Sequence, residues 1–231
     1  MSTDRFLQGR SALVSGSTSG IGLAVACRFA AAGAQVAVHG LGSTEQIAAA
    51  VEAVNAAEGG GARHFGGDLR DPAAIEQLMA EVAAWSAGGP DILVNNAGIQ
   101  HTAALQEMPA ERWDAILAIN LSSAFHSMRH ALPAMAARGF GRVINIASVH
   151  GLVASKQKAP YVASKFGLVG MSKVAALEYA ALGNRASGGI TVNCICPGWV
   201  ETALIEPQIE ARRDGGSRDD GVRALLAEKQ P

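Results

Sequence analysis

The 231-residue sequence predicts one α/β domain built on a doubly wound parallel sheet. Three observations predict it. Short apolar runs alternate with helical patterns along the chain, so successive strands require crossover helices and lie parallel. A glycine-rich turn joins the first apolar run directly to the first helical pattern. A polar turn, Asn95-Asn96-Ala97-Gly98, stands at the carboxyl end of another run, where open parallel sheets bind ligands.

The first strand is Ser11–Ser15. It feeds Gly16-Ser-Thr-Ser-Gly20-Ile-Gly22, and an alanine-rich helix follows over Leu23–Ala32. Such a turn lets backbone N–H groups and the positive end of a helix meet a phosphate, although the G-x-x-x-G-x-G spacing departs from G-x-G-x-x-G. The second strand is Gln35–His39. No Asp, Glu, Arg or Lys stands where it ends, about 20 residues beyond the glycines, where a ribose discriminator is usual. The missing base disfavours a 2′-phosphate and points to NAD rather than NADP. Ser43 and Gln46 form a capping box that opens a helix running to about Glu58.

Arg63–Gly66 reads as a weak third strand, ending at Gly67-Asp68-Leu69. Asp68 suits an adenine amino group or the cap of a turn. Asp71-Pro72 starts a helix that runs to about Ala87, where Gly88-Gly89-Pro90 breaks it. Asp91–Val94 is a buried strand. Pro109–Arg138 reads as one long helix with Asn120 in its middle, a mediocre helix former placed to disturb the ladder or to satisfy a packing contact. Arg142–Ala147 is the fifth strand, with Ser148 just past it, and a helix carrying Tyr161 and Lys165 runs to about Leu182. After the polar loop Gly183–Gly189 comes the sixth strand, Ile190–Ile195, closed by Pro197-Gly198. An irregular segment, Trp199–Gln208, and a charged helical tail complete the chain, and residues from about 199 to 225 read as a lid over the substrate.

Composition bounds the partners. Apolar residues make up 49% and net charge is −1, which argues against nucleic acid or an acidic membrane surface. Cys27, Cys194 and Cys196 form no disulfide framework, which suits a reducing compartment, the cytoplasm. Neither these cysteines nor the histidines show metal-ligand spacing, so no metal site is expected. The opening MSTDRFLQGR lacks the apolar core of a signal peptide, and no window approaches ~18 uninterrupted apolar residues.

The chemistry concentrates in Ile146–Lys165. Tyr161 and Lys165 are four apart, so on a helix their Cβ atoms lie roughly 5–6 Å apart on one face. A free tyrosine has a pKa of about 10 and is a poor base, and a neighbouring cation favours its phenolate. Ser148 can donate to a carbonyl oxygen while Tyr161 passes a proton to it.

Together these segments resemble the short-chain dehydrogenase/reductase family, whose domain is of Rossmann type. The resemblance rests on Gly16–Gly22, Asp68-Leu69, Asn95–Gly98, Asn120, Ser148, Tyr161 with Lys165, and Pro197-Gly198, in the family's order. It implies that Tyr161 carries the proton, Lys165 binds the nicotinamide ribose and lowers the Tyr161 pKa, Ser148 orients the substrate oxygen, and Asn120 holds a water. It implies further that Gly16, Thr18, Gly20, Ile21 and Gly22 cradle the pyrophosphate. Asp68, Leu69, Asn96, Ala97 and Gly98 would flank the adenosine, Thr202 would meet the carboxamide, and Leu41, Pro197 and Val200 would complete the surroundings of NAD.

A narrower resemblance is to the D-3-hydroxybutyrate dehydrogenase subfamily. It rests on Asn95–His101, Ile146–Ser155, Cys194–Val200 and Glu228–Pro231. It implies a small carboxylate substrate held by Gln100, His150, Lys158 and Gln208, with D-3-hydroxybutyrate and acetoacetate as the pair interconverted. A 3-oxoacyl reductase is the nearest rival, disfavoured by Lys158 and Gln100; a catalytically weak dinucleotide-binding protein is the other alternative. Gly183–Gly189 looks longer than the family's usual connection, and the sequence stops at Pro231, where members continue into a seventh strand that helps pair subunits into a homotetramer. Six strands, an exposed edge, reduced stability and disturbed tetramer formation are therefore expected.

Overall fold

A computed structural model describes residues 5–57 and 61–229, without the side chains of residues 228 and 229. Six strands form one parallel sheet: β1 (Ser11–Val14), β2 (Gln35–His39), β3 (Ala62–Phe65), β4 (Ile92–Asn95), β5 (Phe140–Ile146) and β6 (Gly189–Ile195). Their order is β3-β2-β1-β4-β5-β6, the doubly wound topology that the sequence predicts. The helices are α1 (Gly20–Ala31), α2 (Thr44–Asn55), α3 (Pro72–Trp85), α4 (Ala110–Leu117), α5 (Ser123–Arg138), α6 (Ala159–Tyr179), α7 (Glu206–Glu210) and α8 (Arg218–Lys229).

Strand alternation divides the core in two. Ala12, Val14, Val36, Val38, Ile92 and Val94 pack on α1 and α2 through Ala26, Ala30 and Val54. Leu13, Ala37, Leu93 and Val143 pack on the other face against Leu78 and Val82 of α3 and Leu132 and Met135 of α5. Burial on both faces is what a parallel sheet requires. Among the described residues β6 is an edge strand paired only with β5, and Thr191, Asn193 and Ile195 on one of its faces are exposed.

Local chemistry sets the helix starts. The Ser43 hydroxyl accepts from the Gln46 N–H at 3.3 Å, and the Gln46 side chain accepts from the Ser43 N–H at 2.9 Å. Asp71 caps α3 by accepting from the Ala73 N–H at 2.9 Å, with Pro72 in the first turn. Helix α2 ends at Asn55, short of the expected limit near Glu58, and Glu58 itself lies outside the described residues, as do Gln230 and Pro231 of the Glu228–Pro231 similarity.

Three expectations are corrected. Pro109–Arg138 is not one α-helix, because a π-turn over Ala118–Ser122 separates α4 from α5. Asn120 sits in it and binds the backbone of Ile99 from both ends of its amide, so the ladder is widened where a side chain serves another segment. The next helix, α6, stops at Tyr179 rather than Leu182. Gly183, at φ 86°, turns the chain immediately afterwards. Finally, the stretch Trp199–Gln208 is not wholly irregular, since α7 begins at Glu206.

Parallel registers place the carboxyl ends of the central strands side by side: Val14 pairs Val94, and Asn95 pairs Asn145. Beneath them lies a buried polar chain. The Asn95 side-chain amide donates to the side-chain Oδ1 of Asn145 at 2.8 Å, and the Asn145 Nδ2 donates to the Ser172 hydroxyl of α6 at 2.7 Å. Buried amides satisfied in this way fix one relative placement of strand and helix.

Candidate active site

A cavity of about 410 Å³ opens over the carboxyl ends of β1, β4 and β5. One end is walled by the turn after β1. Gly16 has φ 64°, and a Cβ there would meet Ala97 at 2.9–3.2 Å. A Cβ at Gly22 would run into the Gly16 carbonyl and the Asn96 amide. Only glycine allows this crowding. Asn96 secures the turn by donating to the carbonyls of Ser15 and Gly16 at 2.9 and 3.1 Å.

At the other end stand Ser148, Tyr161 and Lys165. Ser148 is extended just past β5, and its hydroxyl accepts from the His150 N–H at 3.1 Å. Its neighbours Ala147 and Val149 donate to the carbonyls of Ile195 and Pro197, both at 2.8 Å. Tyr161 and Lys165 project from α6, buried, and the Lys165 ammonium lies 5.6 Å from the Tyr161 ring centroid. That ammonium donates to the Ile146 carbonyl at 2.7 Å. Burial pulls its pKa down to about 8. A Cβ on Gly98 would meet Asn120 Oδ1 at 3.4 Å and Lys165 Nζ at 3.7 Å, so these three converge.

Burial raises the Tyr161 pKa, with the Ser148 hydroxyl pulling it back down. Lys165 is itself desolvated and turned to the Ile146 carbonyl.

Of the expected cofactor residues, Gly16, Thr18, Gly20, Ile21, Leu41, Asp68, Leu69, Asn96, Ala97, Gly98, Pro197, Val200 and Thr202 line the cavity. Gly22 does not, and acts through the close packing just described. Asp68 binds Arg70 through paired side-chain hydrogen bonds, which hold its pKa down to about 2. Thr202 lies against the glycine turn, 3.5 Å from a Cβ built on Gly20, so the segment after β6 crosses the cavity as a strap.

Gln100, His150 and Lys158 also line the cavity. Gln100 donates to the Leu204 carbonyl of the strap at 2.8 Å. The expected fourth carboxylate ligand, Gln208, does not reach the cavity lining; it lies in α7 with its amide nitrogen buried and without a hydrogen-bond partner among the described residues. Among the lining residues that the sequence reading does not single out are Trp199 and His39. Trp199 packs on Lys158 and His150, and its only sequence signal is its place in Cys194–Val200. His39 closes the end walled by the glycine turn and passes unnoticed as the apolar-run residue that ends β2.

The short chain dehydrogenase family model matches residues 10–213. The chain belongs to the short-chain dehydrogenase family. A D-beta-hydroxybutyrate dehydrogenase of Cupriavidus necator is 52% identical over 97% of this chain and 84% of its own length. A 3-oxoacyl-(acyl-carrier-protein) reductase of Escherichia coli is 39% identical over 90% of this chain and 80% of its own. The solved structure of an actinorhodin polyketide ketoreductase variant with NADPH superimposes with TM-score 0.85 at 37% identity, over 94% of this chain and 82% of that one. As a short-chain dehydrogenase the chain is an oxidoreductase, and its glycine-walled cavity fits a nicotinamide dinucleotide. Among the described residues no group of His, Cys, Asp or Glu could hold a metal ion, and no helix is long and apolar enough to cross a membrane.

Proposed function

We propose that the chain is an NAD-dependent dehydrogenase interconverting D-3-hydroxybutyrate and acetoacetate. The observation that carries this reading is Lys158, a buried ammonium in the cavity wall on the first turn before Tyr161. A small acid brings one carboxylate, and a desolvated cation with fixed position selects it. The similarity to the Cupriavidus necator dehydrogenase supports the same substrate.

When bound, the nicotinamide accepts or supplies the hydride exchanged at C3 of the acid. The protein supplies the proton path and the placement. Ser148 donates to the substrate oxygen. Tyr161 stays a phenol at neutral pH because burial raises its pKa, so it donates a proton in ketone reduction; alcohol oxidation draws on its minor phenolate form, which accepts the proton. Oxidation should therefore quicken as pH rises. Lys165, close to half-charged near pH 8, faces Gly98 and Asn120 at the ribose end. Gln100, through Leu204, ties the strap down and excludes water.

The similarity to the Escherichia coli reductase favours a second reading, 3-oxoacyl reduction. A carrier thioester has no carboxylate for Lys158, which weighs against it. NADH formation with D-3-hydroxybutyrate, read by absorbance beside reduction of an acetoacetyl thioester, separates them; greater kcat/KM on the thioester would reject the acid.

We propose a cytoplasmic homo-oligomer. Its support is the free state of Cys27, Cys194 and Cys196, and the exposure of Phe125 on α5 and Phe166, Val174 and Leu177 on α6. Sedimentation as a monomer at micromolar concentration would reject the assembly.

A further inference from the structure

His39 is a buried imidazole that the proposed chemistry leaves unused. It ends β2 and lines the phosphate end of the cavity. Its two nitrogens do opposite things. Nε2 faces the Gly67 carbonyl at 3.0 Å, and a carbonyl only accepts, so Nε2 carries the hydrogen. Nδ1 then holds a lone pair, and the Gly16 N–H donates to it at 3.4 Å. The backbone of His39 is fixed as well. Its carbonyl accepts from the Ser17 N–H at 2.7 Å, and its N–H donates to the Ser17 hydroxyl at 3.0 Å. The ring therefore bridges the turn after β1 to the loop that leads into Asp68-Leu69.

We propose that His39 is a positioning residue for the dinucleotide: its neutral ring clamps the phosphate turn to the β3–α3 loop, and protonating it releases the clamp. The proposal rests on the reading of this cavity as a dinucleotide site. An imidazolium carries a hydrogen on both nitrogens, so Nδ1–H would face the Gly16 N–H, donor against donor. The Gly16 amide would shift, and the turn whose crowding against Ala97 and Gly22 leaves it no slack would lose the shape that meets a pyrophosphate.

The surroundings keep the ring neutral at ordinary pH. Burial lowers the His39 pKa below 6.5, the Gly67 carbonyl opposes that, and His64 on the neighbouring strand lowers it further. His64 is itself turned to the Gly40 carbonyl at 2.9 Å. On the loop beyond Gly67, Asp68 is neutralised by Arg70. The turn after β1 contributes Ser17 and Thr18, neither of which titrates in this range.

The test is calorimetric titration of the full chain with ADP-ribose from pH 7.5 to 5.0, since its pyrophosphate stays ionised throughout. Affinity should be level near pH 7.5 and fall about threefold or more by pH 5.0, the sign for a site that binds only the unprotonated form. His39→Asn keeps an acceptor near Gly16, and His39→Gln keeps a donor toward Gly67; neither titrates. Either variant that folds should bind with a level pH profile, whereas His64→Asn should keep the slope. A level wild-type profile overturns the proposal without any variant, and so does a slope that persists in His39→Asn or His39→Gln. Failure to bind ADP-ribose at every pH would overturn the dinucleotide reading and the clamp with it.

Discussion

The Lys158 ammonium lies 4.3 Å from the centroid of the Trp199 ring, and Lys158 is only 5% exposed. One residue comes from the start of α6, the other from the strap after β6. The contact thus holds a cation at the mouth of the site from two sides, within cation–π range. His150 meets both aromatic neighbours edge-on, with ring centroids 6.3 Å from Tyr161 and from Trp199. A cation so placed has little freedom to lose when it meets an anion.

Lys158→Ala should therefore hurt a hydroxy acid far more than its methyl ester. A charge-assisted hydrogen bond contributes about 1.5–3 kcal/mol, so kcat/KM for D-3-hydroxybutyrate should fall roughly 10–150-fold. The ester retains the hydroxyl and the chain length without the charge, and should change little. Equal losses on acid and ester would remove Lys158 from the carboxylate's ligands.

Tyr161→Phe keeps the ring that packs near His150 and deletes the proton carrier. We expect NADH binding, read by fluorescence, to stay within about threefold of wild type while turnover drops by roughly a hundredfold or more. Turnover near the wild-type value would place the proton transfer elsewhere.

Cofactor choice follows from the end of β2. His39 has both nitrogens committed to backbone groups, and Gly40-Leu41-Gly42-Ser43 offers no cation to a 2′-phosphate. Each missing charge-assisted contact is worth about 1.5–3 kcal/mol, so kcat/KM should favour NAD over NADP by roughly tenfold or more. A ratio favouring NADP would contradict this account of the loop.

The doubly wound parallel sheet and the site residues Gly16, Asn96, Ser148, Tyr161 and Lys165 are legible because each depends on local signals: apolar runs, capping residues, glycine turns and a four-residue helical spacing. What stayed hidden depends on contacts between distant segments. Asn120 looked like a weak point in one helix, yet its amide serves Ile99, 21 positions away, and the π-turn follows from that. Gln208 lies in a short helix, α7, that the sequence leaves as an irregular segment. His39 ended an apolar run and was read as strand. Its role appears only when β1, β2 and β3 are neighbours. The burial that raises the Tyr161 pKa is likewise invisible in a motif, which names only the neighbouring cation.

Lys165 should trade stability for function. It is 3% exposed, and burial lowers its pKa from 10.5 to about 8. Its folded pKa lies below the unfolded one, so between these values the unfolded chain binds the extra proton and stability rises with pH. The cost is fully present below about pH 8 and is relieved toward pH 10.5. A shift of that size corresponds to ~3 kcal/mol, and loss of the bond to the Ile146 carbonyl offsets part of it. Lys165→Met keeps most of the stem and removes the charge. At pH 7 it should abolish activity yet unfold at higher denaturant, by ~1–2 kcal/mol. The gain should shrink by pH 9.5. Comparing variant with wild type at each pH cancels the alkaline titration of Tyr161, which both proteins share. Burial raises the Cys194 pKa and Lys165 pulls it back down, so the comparison is made in a Cys194→Ser background. A variant less stable at pH 7, or a difference that does not change with pH, would show that the buried ammonium carries no such cost.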